Sequence, residues 1–297
     1  SYDPLVSIMS APSKDFLPSL VGSMSMGAAG NPTVEMIEAA FAHHGLHYRY
    51  VNMEVTPENL GKAVAGAAAM GFVGFNCSLP HKVSVIDHLD GLGESARIMG
   101  AVNCVVRRDG QWIGENTDGK GFLASLQAIT SPDGKHVVVL GAGGAARAIA
   151  VELGLARASH ITIVNRDRSR GEALSHLLQE SVLVTSCYQP WDIPFTMPRD
   201  ADILVNATSV GLYDADARIQ VHLDSLTANQ VVADVIFNPP QTWLLREAAR
   251  RDCRTLDGLG MIVQQGVVCL DYWTGCKADA GVMRAAVEQA LGLNSTP

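Results

Sequence analysis

Beginning at Lys135, short runs rich in Val and Ile, at residues 137–140, 161–164, 182–185, 203–205 and 231–236, alternate with segments of helical character. Strands apolar almost throughout are buried on both faces, and strands that alternate with helices are joined by crossovers. The pattern therefore predicts βαβ units around a parallel sheet. The first run leads into Gly141-Ala142-Gly143-Gly144-Ala145-Ala146, a G-x-G-x-x-A loop between a strand and a helix. Such glycines let the backbone approach a pyrophosphate, and the helix start offers free N–H groups, so the loop predicts a dinucleotide site.

An NAD-preferring site would place an acidic residue about 20 residues further on, against the ribose 2′-hydroxyl. Asn165-Arg166 stands there instead, with Arg170 close behind. A guanidinium suits a 2′-phosphate, so NADP is the expected cofactor and NAD the alternative. Arg168 reads equally well as part of a solvated helix start.

Residues 1–130 also mix strands (46–51, 72–76, 102–106, 112–114) with helices (33–44, 57–70), but less regularly. Two helical segments, 261–275 and 278–291, follow Gly260. At ~100–200 residues per domain, 297 residues make two domains. The turn Ser131-Pro132-Asp133-Gly134 marks a boundary region. With 47% apolar and 18% charged residues the chain is no disordered segment, and a net charge of −8 argues against a general nucleic-acid binder. The longest apolar run, 63–75, is too short for a membrane span. Ser1-Tyr2-Asp3-Pro4 does not open a signal peptide. Six scattered cysteines with no C-x-x-C pair argue against zinc, any other metal site and a disulfide frame, which fits a reducing cytoplasm.

The segment Asn76-Cys77-Ser78-Leu79-Pro80-His81-Lys82 ends a strand and starts a helix at Pro80. Lys82 at the positive end of that helix would have a lowered pKa, suited to proton transfer; a lysine there, taken alone, is more often a solvated surface residue. Asp118 in Asn116-Thr117-Asp118-Gly119 is a helix cap or a catalytic carboxylate. Asn103, inside an apolar strand, must find partners if buried. His81 reads as solvated and Cys77 as a small buried apolar group.

These segments, together with Gly100-Ala-Val-Asn103, Asn206-Ala-Thr-Ser-Val-Gly211 and Asp257-Gly-Leu-Gly-Met261, resemble the shikimate dehydrogenase family in order and spacing, from about residue 20 to 291. The resemblance implies an α/β fold of two lobes. One is an N-terminal α/β substrate-binding lobe, the other a Rossmann-type doubly wound parallel-sheet cofactor lobe, and the C-terminal helices return to the first. The corresponding divisions are 1–118, 119–259 and 260–297. It further implies that Lys82 and Asp118 form the catalytic pair in the cleft and that Asn103 and Gln265 contact substrate hydroxyls. Ser78 stands where the family usually has Thr. Asn206, Thr208 and Ser209 would line the cofactor, with Gly260 and Met261 near the nicotinamide. The implied activity is reversible, metal-free hydride transfer between NADP and shikimate/3-dehydroshikimate, in a monomer or homodimer acting on a hydroxylated cyclic carboxylate.

Three departures accompany the resemblance. The family's Ser-x-Ser-Pro carboxylate segment becomes Ser23-Met24-Ser25-Met26 with a longer loop to Asn31-Pro32-Thr33, so either Ser23 and Ser25 keep that role or Thr33 takes it. Phe237 replaces a frequent Tyr, and Ser78 replaces Thr. Together they leave open quinate, an aminoshikimate or another hydroxy acid as substrate, as in the shikimate dehydrogenase-like branch. A non-catalytic cofactor-binding regulator is the reading from another class, and the joint presence of Lys82 and Asp118 argues against it.

Overall fold

Two six-stranded sheets carry the chain in this computed structural model, which describes residues 15–192 and 194–293; the N-terminal reading at residues 1–4 lies outside them. The first sheet contains β1 (Ser19–Ser25), β2 (Tyr48–Glu54), β3 (Gly74–Cys77), β4 (Gly91–Leu92), β5 (Cys104–Arg108) and β6 (Gln111–Glu115). Between them lie α1 (Thr33–His43), α2 (Leu60–Ala69), α3 (His81–Ser84) and α4 (Glu94–Met99). The order is β2-β1-β3-β5-β6-β4, with β5 antiparallel to both neighbours, so this sheet is mixed.

From α5 (Asp118–Gln127) the chain enters the second sheet, built from β7 (His136–Leu140), β8 (His160–Asn165), β9 (Thr185–Pro190), β10 (Ile203–Asn206), β11 (Val231–Asp234) and β12 (Arg254–Leu256). Its helices are α6 (Gly144–Leu155), α7 (Arg168–Leu177) and α8 (Trp243–Ala249), and α9 (Gly258–Thr274) and α10 (Ala280–Ala290) follow. The order is β12-β11-β10-β7-β8-β9 with every pairing parallel, a doubly wound sheet. Val137, Val138, Val139 and Leu140 are wholly buried because β7 is central and both its faces are covered. Aspartates at 167, 257 and 279 cap α7, α9 and α10 by accepting from first-turn N–H groups, each such cap stabilising by about 1 kcal/mol.

One expected strand moves. Residues 178–182 form a π-helical turn, Leu183 has φ +61°, and β9 starts only at Thr185. Val182 and Val184 are apolar because they pack over Gly154 of α6, where a Cβ would lie 2.6 Å from a Val182 methyl. The expected helix at 57–70 opens with a 3₁₀ turn, Pro57–Asn59, before α2.

The C-terminal helices pack back on the first lobe: Leu259, Val263, Leu270 and Met283 share a core with Ile37 and Phe41 of α1. Trp273 anchors α9 to the sheet, its Nε1 donating to the Val105 carbonyl at 3.0 Å. α5 and α9 cross with almost no space between them, since a Cβ on Gly121 would lie 2.5 Å from Gln265 N and 2.6 Å from Met261 O. That crossing brings the start of α5 and the middle of α9 to one edge of the first sheet.

Candidate active site

The carboxyl ends of β1 and β3 lie side by side, Ser23 opposite Asn76, and the antiparallel β5 begins at the same edge. α3 leaves β3 there, and α5 starts there. Lys82 Nζ donates to Asp118 Oδ2 at 2.7 Å, with the two side chains 31% and 24% exposed. Asn103 Nδ2 donates to Asp118 Oδ1 and to Thr117 Oγ1, both at 2.9 Å, and its Oδ1 accepts from Thr117 N at 2.7 Å. The buried amide thus has its partners, and it fixes the carboxylate that faces the lysine.

The Asp118 charge raises the Lys82 pKa above its ordinary value, against burial, which lowers it. This reverses the expectation of a lowered pKa. α3 is a single turn of four residues with little dipole, and a carboxylate in contact outweighs it. His81 is also corrected: it is wholly buried rather than solvated, with Nε2 2.7 Å from the Val55 carbonyl. Cys77 is buried as expected, and burial pushes its thiol up to about 12.

Beside the pair, Thr117 Oγ1 lies 3.3 Å from Gln265 Oε1 and 3.3 Å from Cys269 Sγ. Asn76 Nδ2 donates to the Asn103 carbonyl at 3.1 Å, and Tyr50 OH donates to Asn76 Oδ1 at 2.8 Å. Ser23 Oγ donates to Asn52 Oδ1 at 2.9 Å and accepts from Asn31 Nδ2 at 3.1 Å. Ser25, one strand position pair further, is buried, and its hydroxyl has no hydrogen bond among the described residues. Ser78 is exposed at the exit of β3, and Thr33 starts α1 with its N–H on Asn31 Oδ1. The longer loop after Ser25 is closed by Glu54, whose carboxylate accepts from Gly27 N and Ala28 N; those bonds hold its pKa below the usual value.

At the second sheet, Gly141 has φ +107° at the exit of β7; at the start of α6 Gly144 faces open space, and a Cβ on Gly143 would meet only the end of Arg170, at 3.9 Å. No side chain caps α6, so its first N–H groups are free for a pyrophosphate, and the cradle fits a dinucleotide. Ala142, Gly143 and Gly144 line a cavity of about 340 Å³ with Arg147 and Arg170, and Val83 and Gly100 of the first lobe complete it. Ala145 continues α6 behind the glycines. A second cavity, about 410 Å³, is walled by Arg166, Trp191, Thr208 and Arg218. Asn165 Nδ2 turns back onto the Asp167 carbonyl, and the Asp167 side chain is spent on capping α7. Arg168 pairs with Glu172, whereas Arg166 and Arg170 are exposed without an ion pair among the described residues.

Asn206 is buried, its amide tying Asp234, Thr208 and Val210 together, so it shapes the loop that presents Thr208; Ser209 is exposed. Gly260 and Met261 lie in the first turn of α9 against α5, half-buried. Two groups of residues went unread in the sequence. Arg147, Trp191 and Arg218 reach the cofactor side from a helix and two irregular loops. Asn31, Tyr50, Asn52 and Cys269 join the site only through pairings 26 or more residues long, or through a loop closure, and no local motif marks them.

Three family models match in order: the shikimate dehydrogenase substrate binding domain at residues 31–105, shikimate / quinate 5-dehydrogenase at 124–233, and the shikimate 5′-dehydrogenase C-terminal domain at 258–288. The NADP(+) shikimate dehydrogenase of Shouchella clausii is 40% identical over 263 residues, 86% of this chain and 93% of that protein. The chain belongs to the shikimate/quinate dehydrogenase family. It is an NAD(P)-dependent oxidoreductase of that type, which sets aside the reading as a regulator without turnover. Among solved structures, the ligand-free 5-ketofructose reductase of Gluconobacter sp. strain CHM43 superposes with a TM-score of 0.91 at 56% identity, covering 93% of this chain and 100% of that one. The Listeria monocytogenes shikimate 5-dehydrogenase, in complex with shikimate and NAD, superposes with a TM-score of 0.84 at 30% identity, covering 90% and 96%. Family members thus bind NADP or NAD.

Proposed function

We propose that this dehydrogenase uses NADPH to reduce the ketone of a small, neutral, polyhydroxylated substrate of the 5-ketofructose type to the alcohol. The observation that carries this reading is the 56% identity to the Gluconobacter 5-ketofructose reductase, against 40% and 30% for the two shikimate dehydrogenases above. The neutrality of the polar groups around Ser23, which are Asn31, Asn52, Tyr50 and Asn76, supports it. When bound, the cofactor supplies the hydride. Lys82, kept as the ammonium by Asp118, gives a proton to the ketone oxygen and recovers it from solvent through its exposed portion. Asn103 and Thr117 hold Asp118, and Gln265 offers its amide to a substrate hydroxyl. Arg166 takes the 2′-phosphate, and Arg170 with the α6 start takes the pyrophosphate.

Shikimate/3-dehydroshikimate is the second reading, favoured by the 40% identity to the Shouchella clausii shikimate dehydrogenase. Nicotinamide absorbance, followed with NADPH or NADH and with 5-ketofructose, 3-dehydroshikimate or 3-dehydroquinate, decides between them. The expected result is NADPH-dependent reduction of 5-ketofructose with kcat/KM at least about tenfold above 3-dehydroshikimate, equivalent to ~1.4 kcal/mol of transition-state preference. A preference for 3-dehydroshikimate would overturn the proposal.

A further inference from the structure

The arginines whose guanidinium makes neither a hydrogen bond nor an ion pair among the described residues are Arg147, Arg166, Arg170, Arg199 and Arg218. The others each donate to a carboxylate or a main-chain carbonyl. All of the unspent ones except Arg199 line the two cavities at the carboxyl ends of β7, β8 and β10. Arg166 and Arg170 belong to the segment after β8, whereas Arg218 comes from the loop between β10 and β11. It shares the cavity of about 410 Å³ with Arg166.

Trp191 ties those two segments together. Its main-chain N–H donates to the carbonyl of Asn165, beside Arg166, at 3.3 Å. Its indole Nε1 donates at 2.9 Å to the carbonyl of Gln220, two residues after Arg218, and Phe195 N donates to the same carbonyl at 2.8 Å. On its outer side the loop is held to α8, where Arg246 pairs with Asp216 and the Arg218 guanidinium carbon lies 5.9 Å from the centre of the Trp243 ring. A guanidinium over a ring engages through its face, so its N–H donors stay free for an anion. The cavity wall also carries apolar Val210 and Ile219 and one carboxylate, Asp192. Two fixed cations beside an apolar wall suit a phosphorylated adenosine, which joins an apolar ring to an anion.

We propose that Arg218 is a second determinant of NADP over NAD, gripping the 2′-phosphate from the β10–β11 loop while Arg166 grips it from the end of β8. A phosphate monoester carries about −1.5 to −2 charges at neutral pH and three acceptor oxygens, more than one guanidinium satisfies. The inference rests on the NADP reading above and adds to it a residue from outside the segment of Asn165 to Arg170.

Direct binding tests this without any ketone. Dissociation constants are measured for NADPH and NADH, and for adenosine 2′,5′-bisphosphate and adenosine 5′-monophosphate, each pair differing only in the 2′-phosphate. Arg218 is exposed, so Arg218→Gln disturbs no core. It should lower the preference for the 2′-phosphorylated member of each pair about tenfold, the size of a hydrogen bond to a charged group. Damage to the loop alone would weaken both members and leave the ratio in place. Adding Asp192→Asn returns the cavity to its wild-type net charge, and the ratio should nevertheless stay low, because a contact and not a summed charge has been lost. An unchanged ratio in Arg218→Gln, or full recovery in the double variant, would overturn the inference while a wild-type preference for NADPH still upheld the cofactor reading. A wild type that binds NADH as tightly as NADPH would refute that reading, and this inference with it.

Discussion

Asp118→Asn should move the pH dependence of ketone reduction to lower pH. Reduction by this scheme needs Lys82 as the ammonium, so activity is lost as pH rises through the lysine's pKa. Asp118 raises that pKa and burial lowers it, so removing the carboxylate charge leaves burial to act alone. Opposite charges about 4 Å apart attract by ~1 kcal/mol in water and ~4 kcal/mol at an effective dielectric of about 20. With the two side chains 31% and 24% exposed, the lower half of that range applies. At 1.36 kcal/mol per pH unit, the alkaline limb should shift down by roughly one to two units. Below that limb the rate should also fall, because both Asp118 oxygens accept from donors and one end of an amide cannot. The assay is kcat/KM for NADPH-driven reduction across neutral and alkaline pH, with NADPH binding measured in parallel. A limb that stays in place or moves up while NADPH still binds would refute the role given to the pair.

Arg166→Ala should weaken NADPH much more than NADH, since only NADPH carries the 2′-phosphate, and equal losses in the two KM values would count against the assignment. Burial raises Asp234 from 3.8 to about 6, so the folded state binds this proton more tightly than the unfolded chain. Its contribution is present below about pH 4 and is lost as pH rises through about 6, an effect of up to about 3 kcal/mol. The stability of wild type minus Asp234→Asn, from denaturant curves, should therefore fall over that window, and a flat difference would sink the idea. Gly121→Ala should destabilise by ~1–3 kcal/mol or more, because the new methyl meets the α9 backbone at Gln265 and Met261; a thermal midpoint equal to wild type would show that the two helices can part without cost.

The cofactor lobe was legible because its signal is local. A buried parallel strand is an apolar run, and the turn after it needs glycine, as Gly141 at φ +107° illustrates. The first lobe hid one of its inner strands. β1 reads Ser-Leu-Val-Gly-Ser-Met-Ser, small and half polar, because its serines face the site edge and Gly22 lets the β2 backbone approach, where a Cβ would lie 2.2 Å from the Val51 carbonyl. The apolar run at 182–185 misled for the opposite reason, its valines being spent on a helix contact rather than a strand.

The site was legible as residue types and not as proton positions. Lys82 and Asp118 lie 36 residues apart, and nothing local states that they touch at 2.7 Å; without that contact a helix dipole looks like the dominant influence and gives the wrong sign.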